Sequence, residues 1–396
     1  MIRYAITHDE ALCCGCRACQ QACPKGAISM EPNAEGFLYP VLDSARCVDC
    51  GLCDRVCPME HRPEGEPIRA VYAMQHRDKV VLRESSSGGA FRLLADEIIR
   101  QGGCVVGCRW EDGNRPVLSI AEPLEQLRPM QGSKYLASDT GDVYAQVKRR
   151  LEEGQTVLFT GAPCQCAGLL GYLGKNYENL ITADFLCHGM PSQQIFDAYV
   201  SALEKKYGAK VYDFRFRDKE PRGWGMAFSF RYRKNGREKK VANIGWTDPY
   251  QYGFIQGYFN RYSCYDCPFR GEPRFTDLTF CDYWGVERHH PEIPMEKGVS
   301  AVTVNSEKGV RLRQRLEVDG CWTETIPESV NAENPALLHE AKESIPALRR
   351  EIYGKIRREG WEAVAGQHLR TPHLELKKLW YRMPRKLTGL LRKLTK

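Results

Sequence analysis

Eight of the 18 cysteines in this chain of 396 residues form two copies of one spacing near its start. The copies are Cys13-x2-Cys16-x2-Cys19-x3-Cys23 and Cys47-x2-Cys50-x2-Cys53-x3-Cys57, each followed by proline. In this spacing three cysteines of one loop bind one iron–sulfur cubane, and the fourth cysteine binds the neighbouring cubane. The spacing predicts two [4Fe–4S] clusters, one on Cys13, Cys16, Cys19 and Cys57 and one on Cys47, Cys50, Cys53 and Cys23. Zinc is the alternative, but zinc sites rarely show this spacing twice.

The repeated segment resembles a two-cluster bacterial ferredoxin over about 50 residues. Gly15 and Gly51 lie within the two loops, where the lack of a Cβ relieves crowding against the inorganic core. Cys14 is surplus to the spacing and is not expected to be a ligand. Residues 61–69 are polar, contain proline and glycine, and are typical of a linker.

Four further cysteines lie far apart in the chain and could share one site. Cys164 stands in a turn after the apolar strand VLFT, Cys187 ends the strand DFLC, and Cys264 and Cys267 form a CxxC. Four thiolates suit one cubane or one zinc ion, but free cysteines are also common as core residues. The spacing alone leaves these alternatives open.

Two segments of small residues are candidates for binding phosphate. The first precedes a predicted helix, whose free N–H groups and dipole favour an anion, and consists of Ser85, Ser86, Ser87, Gly88 and Gly89. The second contains a cation and consists of Gly132, Ser133, Lys134 and Tyr135. The alternatives are a helix N-cap for the first segment and an ordinary loop for the second. No dinucleotide-binding glycine motif opens a βαβ unit, because the glycine string 168–174 lies inside a predicted helix.

Alternating strands and helices must position these residues. Between 70 and about 190, short apolar strands lie between helices, which indicates an α/β layer with a partly parallel sheet. Beyond 211 the strands alternate apolar with polar residues, and Asn235-Gly236 predicts a hairpin. Helices are predicted over 89–100, 140–153, 192–207, 248–260, 307–317 and much of 330–370.

The net charge of +7 comes from the end of the chain. Of the 57 basic residues, eight fall within 371–396 together with one of the 50 acidic residues, so residues 1–370 balance at 49 each. A neutral body argues against a nucleic-acid-binding surface. The basic residues alternate with leucines and Trp380, which predicts an amphipathic helix that rests on an anionic membrane surface or on a partner subunit. No signal peptide or membrane span is predicted, so we expect a cytoplasmic protein, with the inner face of the membrane as a candidate contact for the tail.

Six strings in the large domain carry a second resemblance. They are TGAPCQCAGL, DFLCHGMPS, RYSCYDCPFR, FCDYWGVE, ESSSGGAF and QGSKY. Together, over roughly residues 70–310, they resemble the coenzyme F420 hydrogenase/dehydrogenase beta-subunit family. Members carry a flavin beside a [4Fe–4S] cluster, often behind a ferredoxin-like segment.

This resemblance implies roles that the spacing left open. Cys164, Cys187, Cys264 and Cys267 become ligands of a third [4Fe–4S] cluster. Both small-residue segments would line a flavin, FAD rather than FMN, with Lys134 near its diphosphate or isoalloxazine ring. Thr160 and Gly161 would approach the ring from the cluster side. Besides Cys14, five cysteines have no matched role and are expected to be small core residues, although Cys281 beside Asp282 could lie near the cluster; they are Cys104, Cys108, Cys166, Cys281 and Cys321.

Catalytic residues are not identified by any motif, and the candidates are His188, Lys134 and Asp282. His188 follows a proposed ligand, so it is either a proton donor or a group that hydrogen-bonds near the cluster. Trp284 is a further candidate for the pocket. A basic stretch could meet an anionic substrate but reads more readily as a solvated strand edge, and it consists of Arg215, Arg217, Lys219 and Arg222.

The sequence thus predicts an α+β or α/β protein with a ferredoxin-like module of two [4Fe–4S] clusters and a mixed-sheet flavin and iron–sulfur domain. The expected domains are 1–60, a linker at 61–69, 70–330, and a helical region at 331–396. The predicted function is an oxidoreductase that moves electrons between a hydride carrier or small substrate, a flavin and the clusters, with a redox partner protein. The alternatives are an electron-transfer adaptor without its own substrate and a zinc-stabilised interaction protein.

Overall fold

The computed structural model describes residues 2–111, 114–220, 223–340 and 342–372. The first sixty residues form a small unit of short helices and one hairpin, made of α1 (Arg3–Thr7), α2 (Ala18–Ala22), β1 (Ile28–Pro32), β2 (Leu38–Leu42) and α3 (Leu52–Arg55). Strands β1 and β2 pair antiparallel, with Ile28 opposite Leu42. This hairpin separates the two cysteine-rich loops along the chain.

A mixed sheet follows, and its elements alternate along the chain as the sequence predicts. Up to residue 207 they are β3 (Ala70–His76), α4 (Lys79–Glu84), α5 (Ala90–Arg100), β4 (Cys104–Glu111), β5 (Arg115–Ala121), α6 (Val143–Glu152), β6 (Val157–Thr160), α7 (Pro163–Leu173), β7 (Leu180–Phe185) and α8 (Gln193–Tyr207). Strand β8 (Val211–Arg215) then begins a second, three-stranded sheet. The apolar strands are buried on both faces; all four residues of β6 are buried.

The remaining elements complete two sheets and a group of helices. They are β9 (Ala227–Lys234), β10 (Arg237–Ile244), α9 (Pro249–Ile255), β11 (Leu278–Asp282), α10 (Val286–His289), β12 (Ser300–Val304), α11 (Glu307–Arg315), β13 (Gly320–Thr325), α12 (Pro327–Asn331), α13 (Leu348–Glu359) and α14 (Trp361–Ala365). Asn235 and Gly236 both have positive φ, as the predicted hairpin between β9 and β10 requires. The predicted helical stretch over 330–370 is correct only in part, because irregular chain separates α12 from α13.

The eight-stranded central sheet has the order β13-β3-β12-β11-β7-β6-β4-β5. Strands β11, β7, β6 and β4 run parallel, and β12 is antiparallel to both β11 and β3, so β3 runs in the same direction as those four. The carboxyl ends of five strands therefore meet at one edge of the sheet. In open α/β sheets this edge is where ligands bind.

The packing of the core joins the first sixty residues to the rest of the chain. Phe37 and Tyr39 belong to the same buried cluster as residues of α8, β9, α13 and α14. Arg349 of α13 pairs with Glu35 at 2.6 Å, with the arginine fully buried. The division into domains at 60, 70 and 330 stays a prediction, and the segment 61–69 hydrogen-bonds with Arg274 through the backbone of Glu66.

The basic amphipathic tail over 376–394, with Trp380, lies outside the described residues. Among the described helices, none is long and apolar enough to cross a membrane.

Candidate functional site: three cysteine sets at one edge of the sheet

The eight cysteines of the first sixty residues line two separate cavities. The first cavity is partly open to solvent, contains about 370 Å³ of empty space, and is lined by the predicted ligands Cys13, Cys16, Cys19 and Cys57 and also by Cys14. The second is also partly open to solvent, contains about 430 Å³ of empty space, and is lined by Cys23, Cys47, Cys50 and Cys53. Each cavity thus takes three cysteines from one copy of the motif and the fourth from the other. The structure brings together both predicted ligand sets, and their donor chemistry fits a cubane.

The two cysteine loops share one backbone conformation. In the first loop Gly15 and Arg17 have positive φ values of 74° and 64°, and in the second Asp49 and Gly51 have 48° and 71°. These four residues occupy equivalent positions of the two motifs, so the repeat is structural as well as sequential. A short helix begins directly after each loop and carries the third cysteine of its set.

The third cysteine set lies at the carboxyl edge of the central sheet. Cys164 follows β6 and lies in the first turn of α7, and Cys187 follows the neighbouring parallel strand β7. The segment with the CxxC is tied to the turn after β7, because Pro191 and Asn260 form a bridge and Asn260 Nδ2 donates to the carbonyl of His188 at 3.1 Å.

The thiols of this set lie within electrostatic reach of one another. Cys164 interacts with Cys187 and Cys267, and Cys187 with Cys264. Burial raises the pKa of Cys187, Cys264 and Cys267 to about 12. Thiols this weakly acidic become thiolates when a metal supplies the compensating charge. Among the described residues no three metal-binding side chains converge closely enough for a single ion; a cubane instead spreads its thiolates over four iron atoms.

Cys14 connects the first cavity to the third set. Its thiol lies within hydrogen-bonding reach of the thiols of Cys16 and Cys164, and its charge also interacts with Cys264 and Cys267. The sequence assigned this cysteine no role. The structure shows that the first cavity, and not the second, lies beside the third set.

Helix α7 provides the surface on which the cysteine-rich unit rests. A Cβ on Gly168 would lie 2.8 Å from the Cβ of Cys16, and a Cβ on Gly171 would lie 2.5 Å from the carbonyl oxygen of Val56. Gly174 ends the helix in the left-handed conformation. The glycine string that sequence reasoning excluded as a dinucleotide motif therefore permits close packing of the two units.

The two small-residue segments meet at the same edge of the sheet. Ser133 donates to the hydroxyl of Ser86 from its N–H at 2.9 Å, and their hydroxyls lie 3.0 Å apart. Gly88 N–H donates to Ser300 Oγ at 2.9 Å, which fixes the first segment to the start of β12. Ser85 Oγ accepts a bond from Gln131, and Gly89 enters α5 with a φ of 92°. The structure thus places together the segments for which the sequence predicts a joint flavin site.

Lys134 bends back onto its own loop. Its ammonium nitrogen lies 3.1–3.2 Å from four backbone carbonyl oxygens, which share its three N–H donors and belong to Pro129, Met130, Gln131 and Gly132. Burial lowers the pKa of Lys134 to about 8. Thr160 Oγ1 donates to the carbonyl of Val106 at 2.7 Å, and the N–H of Gly161 to that of Ala183 at 3.3 Å. In this conformation Lys134 and Thr160 stabilise backbone at the edge of the sheet.

The sequence suggested that the basic stretch is a solvated strand edge, but two of its side chains are buried. Arg217 and Lys219 are each 7% exposed, whereas Arg215 is exposed and pairs with Asp213. Lys219 donates to the carbonyls of Leu82, Ser87 and Lys297 at 2.5–2.6 Å, and burial lowers its pKa to about 7. Side chains on the turn after β8 thus point into the protein, a direction that residue type did not reveal. Arg222 lies outside the described residues.

Asp282 forms the centre of an aromatic and ionic cluster at the end of β11. Arg217 binds both its carboxylate oxygens at 2.5 and 2.9 Å, and Trp224 Nε1 donates to it at 3.1 Å. The indoles of Trp224 and Trp284 stack with centroids 4.4 Å apart. Tyr135 of the second small-residue segment accepts a bond from Arg217 at 3.3 Å, so the cluster adjoins the predicted flavin site. From the sequence, Arg217 was named only as part of the basic stretch, and Trp224 was not singled out.

His188 lies on the surface beside the third set. Its Nε2 lies 2.9 Å from the carbonyl of Ile255, and its ring meets Phe254 edge to face at 5.1 Å. Tyr135 stacks on the same Phe254 at 4.5 Å. A role for His188 in catalysis stays a prediction, as do the ligand and flavin assignments.

Comparisons with known proteins agree with both sequence resemblances. Residues 154–329 match the family model for the C terminus of the coenzyme F420 hydrogenase/dehydrogenase beta subunit, and residues 12–61 match a 4Fe–4S dicluster domain. Among solved structures, a chain of the F420-reducing [NiFe] hydrogenase complex from Methanosarcina barkeri, from a xenon derivatization study, has 16% sequence identity and a TM-score of 0.43, covering 78% of this chain and 97% of that one. No curated protein matches. The chain therefore carries a 4Fe–4S dicluster segment at 12–61 and a region at 154–329 that is similar to the C terminus of the coenzyme F420 hydrogenase/dehydrogenase beta subunit.

Proposed function

We propose that this protein is a flavin- and iron–sulfur-dependent oxidoreductase that moves electrons between a hydride carrier or small substrate, a flavin and three [4Fe–4S] clusters. The order of groups along one sheet edge carries this proposal. The small-residue segments adjoin β3 and β12, Asp282 ends β11, Cys187 follows β7, and Cys164 follows β6. Cys14, which interacts with both Cys164 and Cys16, lies between the third set and the first cavity.

A flavin exchanges two electrons with a hydride carrier and single electrons with iron–sulfur clusters. On this proposal, Ser86 and Ser133 bind the flavin phosphate with hydroxyl and N–H groups. The stacked Trp224 and Trp284 and the fixed Asp282 shape the neighbouring pocket for the flat ring of the carrier. Coenzyme F420, which the family name indicates, is the first carrier to test.

In the proposed order of electron transfer, the cluster of the second cavity lies at the end opposite the flavin. Cys50 is exposed, and Val48 beside it is 59% exposed, whereas Cys16 and Cys19 of the first cavity are buried. We propose that electrons are exchanged with a redox partner protein at the loop 47–50, where the path from the cluster to the protein surface is shortest. Contact of the tail with a membrane stays a prediction.

Cofactor content after anaerobic purification tests the proposal. We expect about twelve irons per chain, from three clusters of four, together with bound flavin. Cys264→Ser should lower the iron to about eight, because one ligand of the third cluster is lost. Cys14→Ser is the matched control and should retain about twelve, since the cysteine spacing gives Cys14 no place among the predicted ligands. Unchanged iron in Cys264→Ser would contradict the third cluster, and about twelve irons without flavin would favour the adaptor function.

The identity of the hydride carrier can be tested with coenzyme F420 itself. Reduced coenzyme F420, added anaerobically, should bleach the flavin and cluster absorbance of the purified protein. Bleaching by dithionite but not by reduced F420 would mean that another hydride carrier is used.

A further inference from the structure

Arg261 is a buried cation between the first cavity and the CxxC of the third set. Its side chain is almost fully enclosed, with the residue 5% exposed, and it lies over the ring of Tyr39 at 3.9 Å. Nε donates to the carbonyl of Cys13 at 2.6 Å, and Nη2 to that of Leu38 at 2.9 Å. A Cβ on Gly15 would lie only 2.9 Å from the guanidinium. The glycine that sequence reasoning assigned to the cluster therefore makes room for this arginine.

The backbone of Arg261 is held by the third set. Its N–H donates to the carbonyl of Met190 at 3.1 Å, three residues after Cys187, and its carbonyl accepts from the N–H of Cys264 at 3.0 Å. One residue therefore contacts the loop of the first set with its side chain and the segments of the third set with its backbone.

No carboxylate pairs with this guanidinium in the described parts of the chain. Arg349, on the neighbouring helix α13, is equally buried but is neutralised by Glu35. The groups that interact electrostatically with Arg261 are instead the thiols of Cys13, Cys14 and Cys264 and the phenol of Tyr39. A buried charge is costly unless an opposite charge compensates it. The sulfur-rich sites on both sides are the compensating groups that the structure offers.

We infer that Arg261 is a positioning residue that stabilises the reduced forms of the clusters in the first and third sets and so sets the potentials between which an electron passes. This inference rests on the proposed function. A cluster with four thiolates is anionic and gains one more negative charge on reduction, which a fixed cation nearby favours. One electron leaves one cluster and enters the other, no bond is made or broken, and Arg261 remains protonated.

The test is an anaerobic potentiometric titration of the full chain, followed by electron paramagnetic resonance. In Arg261→Gln the oxidised-to-reduced ratio of the first and third clusters at a fixed applied potential should rise about tenfold. This corresponds to a fall of about 59 mV in the reduction potential of a one-electron couple. The second cluster should keep its potential, because Arg261 does not contact its cavity. Arg270→Gln is the matched control: Arg270 also lies near Cys187 and Cys267, but Glu343 already pairs with it. Its removal should change the ratio much less.

Unchanged potentials in an Arg261→Gln protein of full iron content would overturn the inference and leave the proposed function standing. If that variant loses iron, Arg261→Lys decides, since it keeps the charge and should keep all three potentials. A lysine variant with full iron and tenfold-shifted ratios would contradict the role of the charge. About eight irons in the unsubstituted protein would instead contradict the third cluster, and the inference with it.

Discussion

Replacing Gly171 by alanine would disturb the contact between the cysteine-rich unit and helix α7. The new Cβ would lie 2.5 Å from the carbonyl oxygen of Val56, whereas ordinary contacts begin near 3.4 Å. The two backbones must therefore separate by about 0.9 Å, the difference between those distances. Overpacking of this kind costs about 1–3 kcal/mol. Alanine also favours a helix over glycine by about 1 kcal/mol, so the net loss is about 0–2 kcal/mol.

A second helical glycine separates these two effects. Gly354 lies inside α13, and its Cβ would meet only the flexible end of Arg358 at 3.2 Å. Gly354→Ala should therefore show the gain in helix propensity almost alone. We expect the two variants to differ in free energy of unfolding by about 1–3 kcal/mol, which is the cost of the clash.

Anaerobic thermal unfolding at one scan rate provides the assay, with the visible absorbance of the clusters as a second signal. One kcal/mol corresponds to about 2–4 °C in a domain of 150–250 residues, so a difference of several degrees is expected. Iron content should be the same in both variants, because no ligand is changed. If Gly171→Ala gains as much stability as Gly354→Ala, Val56 does not lie against α7 and the proposed order of the clusters loses its support.

Two further predictions concern buried charges. Arg349→Gln should destabilise the protein by about 3–5 kcal/mol in denaturant unfolding, because it leaves Glu35 without its partner. Adding Glu35→Gln should recover part of this stability. A double variant that is no more stable than the single variant would refute the pairing. Burial raises the pKa of Asp248 to about 6 in the folded protein, against 3.8 for the free side chain. The folded state therefore binds this proton more tightly, and the resulting stability is full below pH 3.8 and lost as the pH rises through 6. Asp248→Asn, which preserves the cap of α9, should lose less stability than the unsubstituted protein between pH 5 and 7, and equal pH slopes would contradict this.

The sequence by itself determined the parts of this protein whose physical cause is local. The cysteine spacing predicted which four thiols share each of the first two sites, and the structure gathers those sets in two cavities. Asn235-Gly236 predicted its hairpin because a tight turn there needs two residues that tolerate positive φ. Apolar runs and helical periods likewise predicted α5, β4, α6, β6, β7 and α8, since burial on both faces of a sheet leaves a continuous apolar pattern.

Only the tertiary structure decided which distant groups meet. Arg217 and Lys219 were read as solvated because residue type predicts exposure only on average, whereas the fold directs both inward. Cys14 and Arg261 carried no signal, since their significance depends on contacts between segments about 150 to 250 residues apart. The sequence predicted only that Gly171 lies in a helix, whereas the structure shows that the backbone of Val56 packs directly against it. Local patterns fix conformation and ligand type, but the neighbour across a packed interface depends on how the whole chain folds.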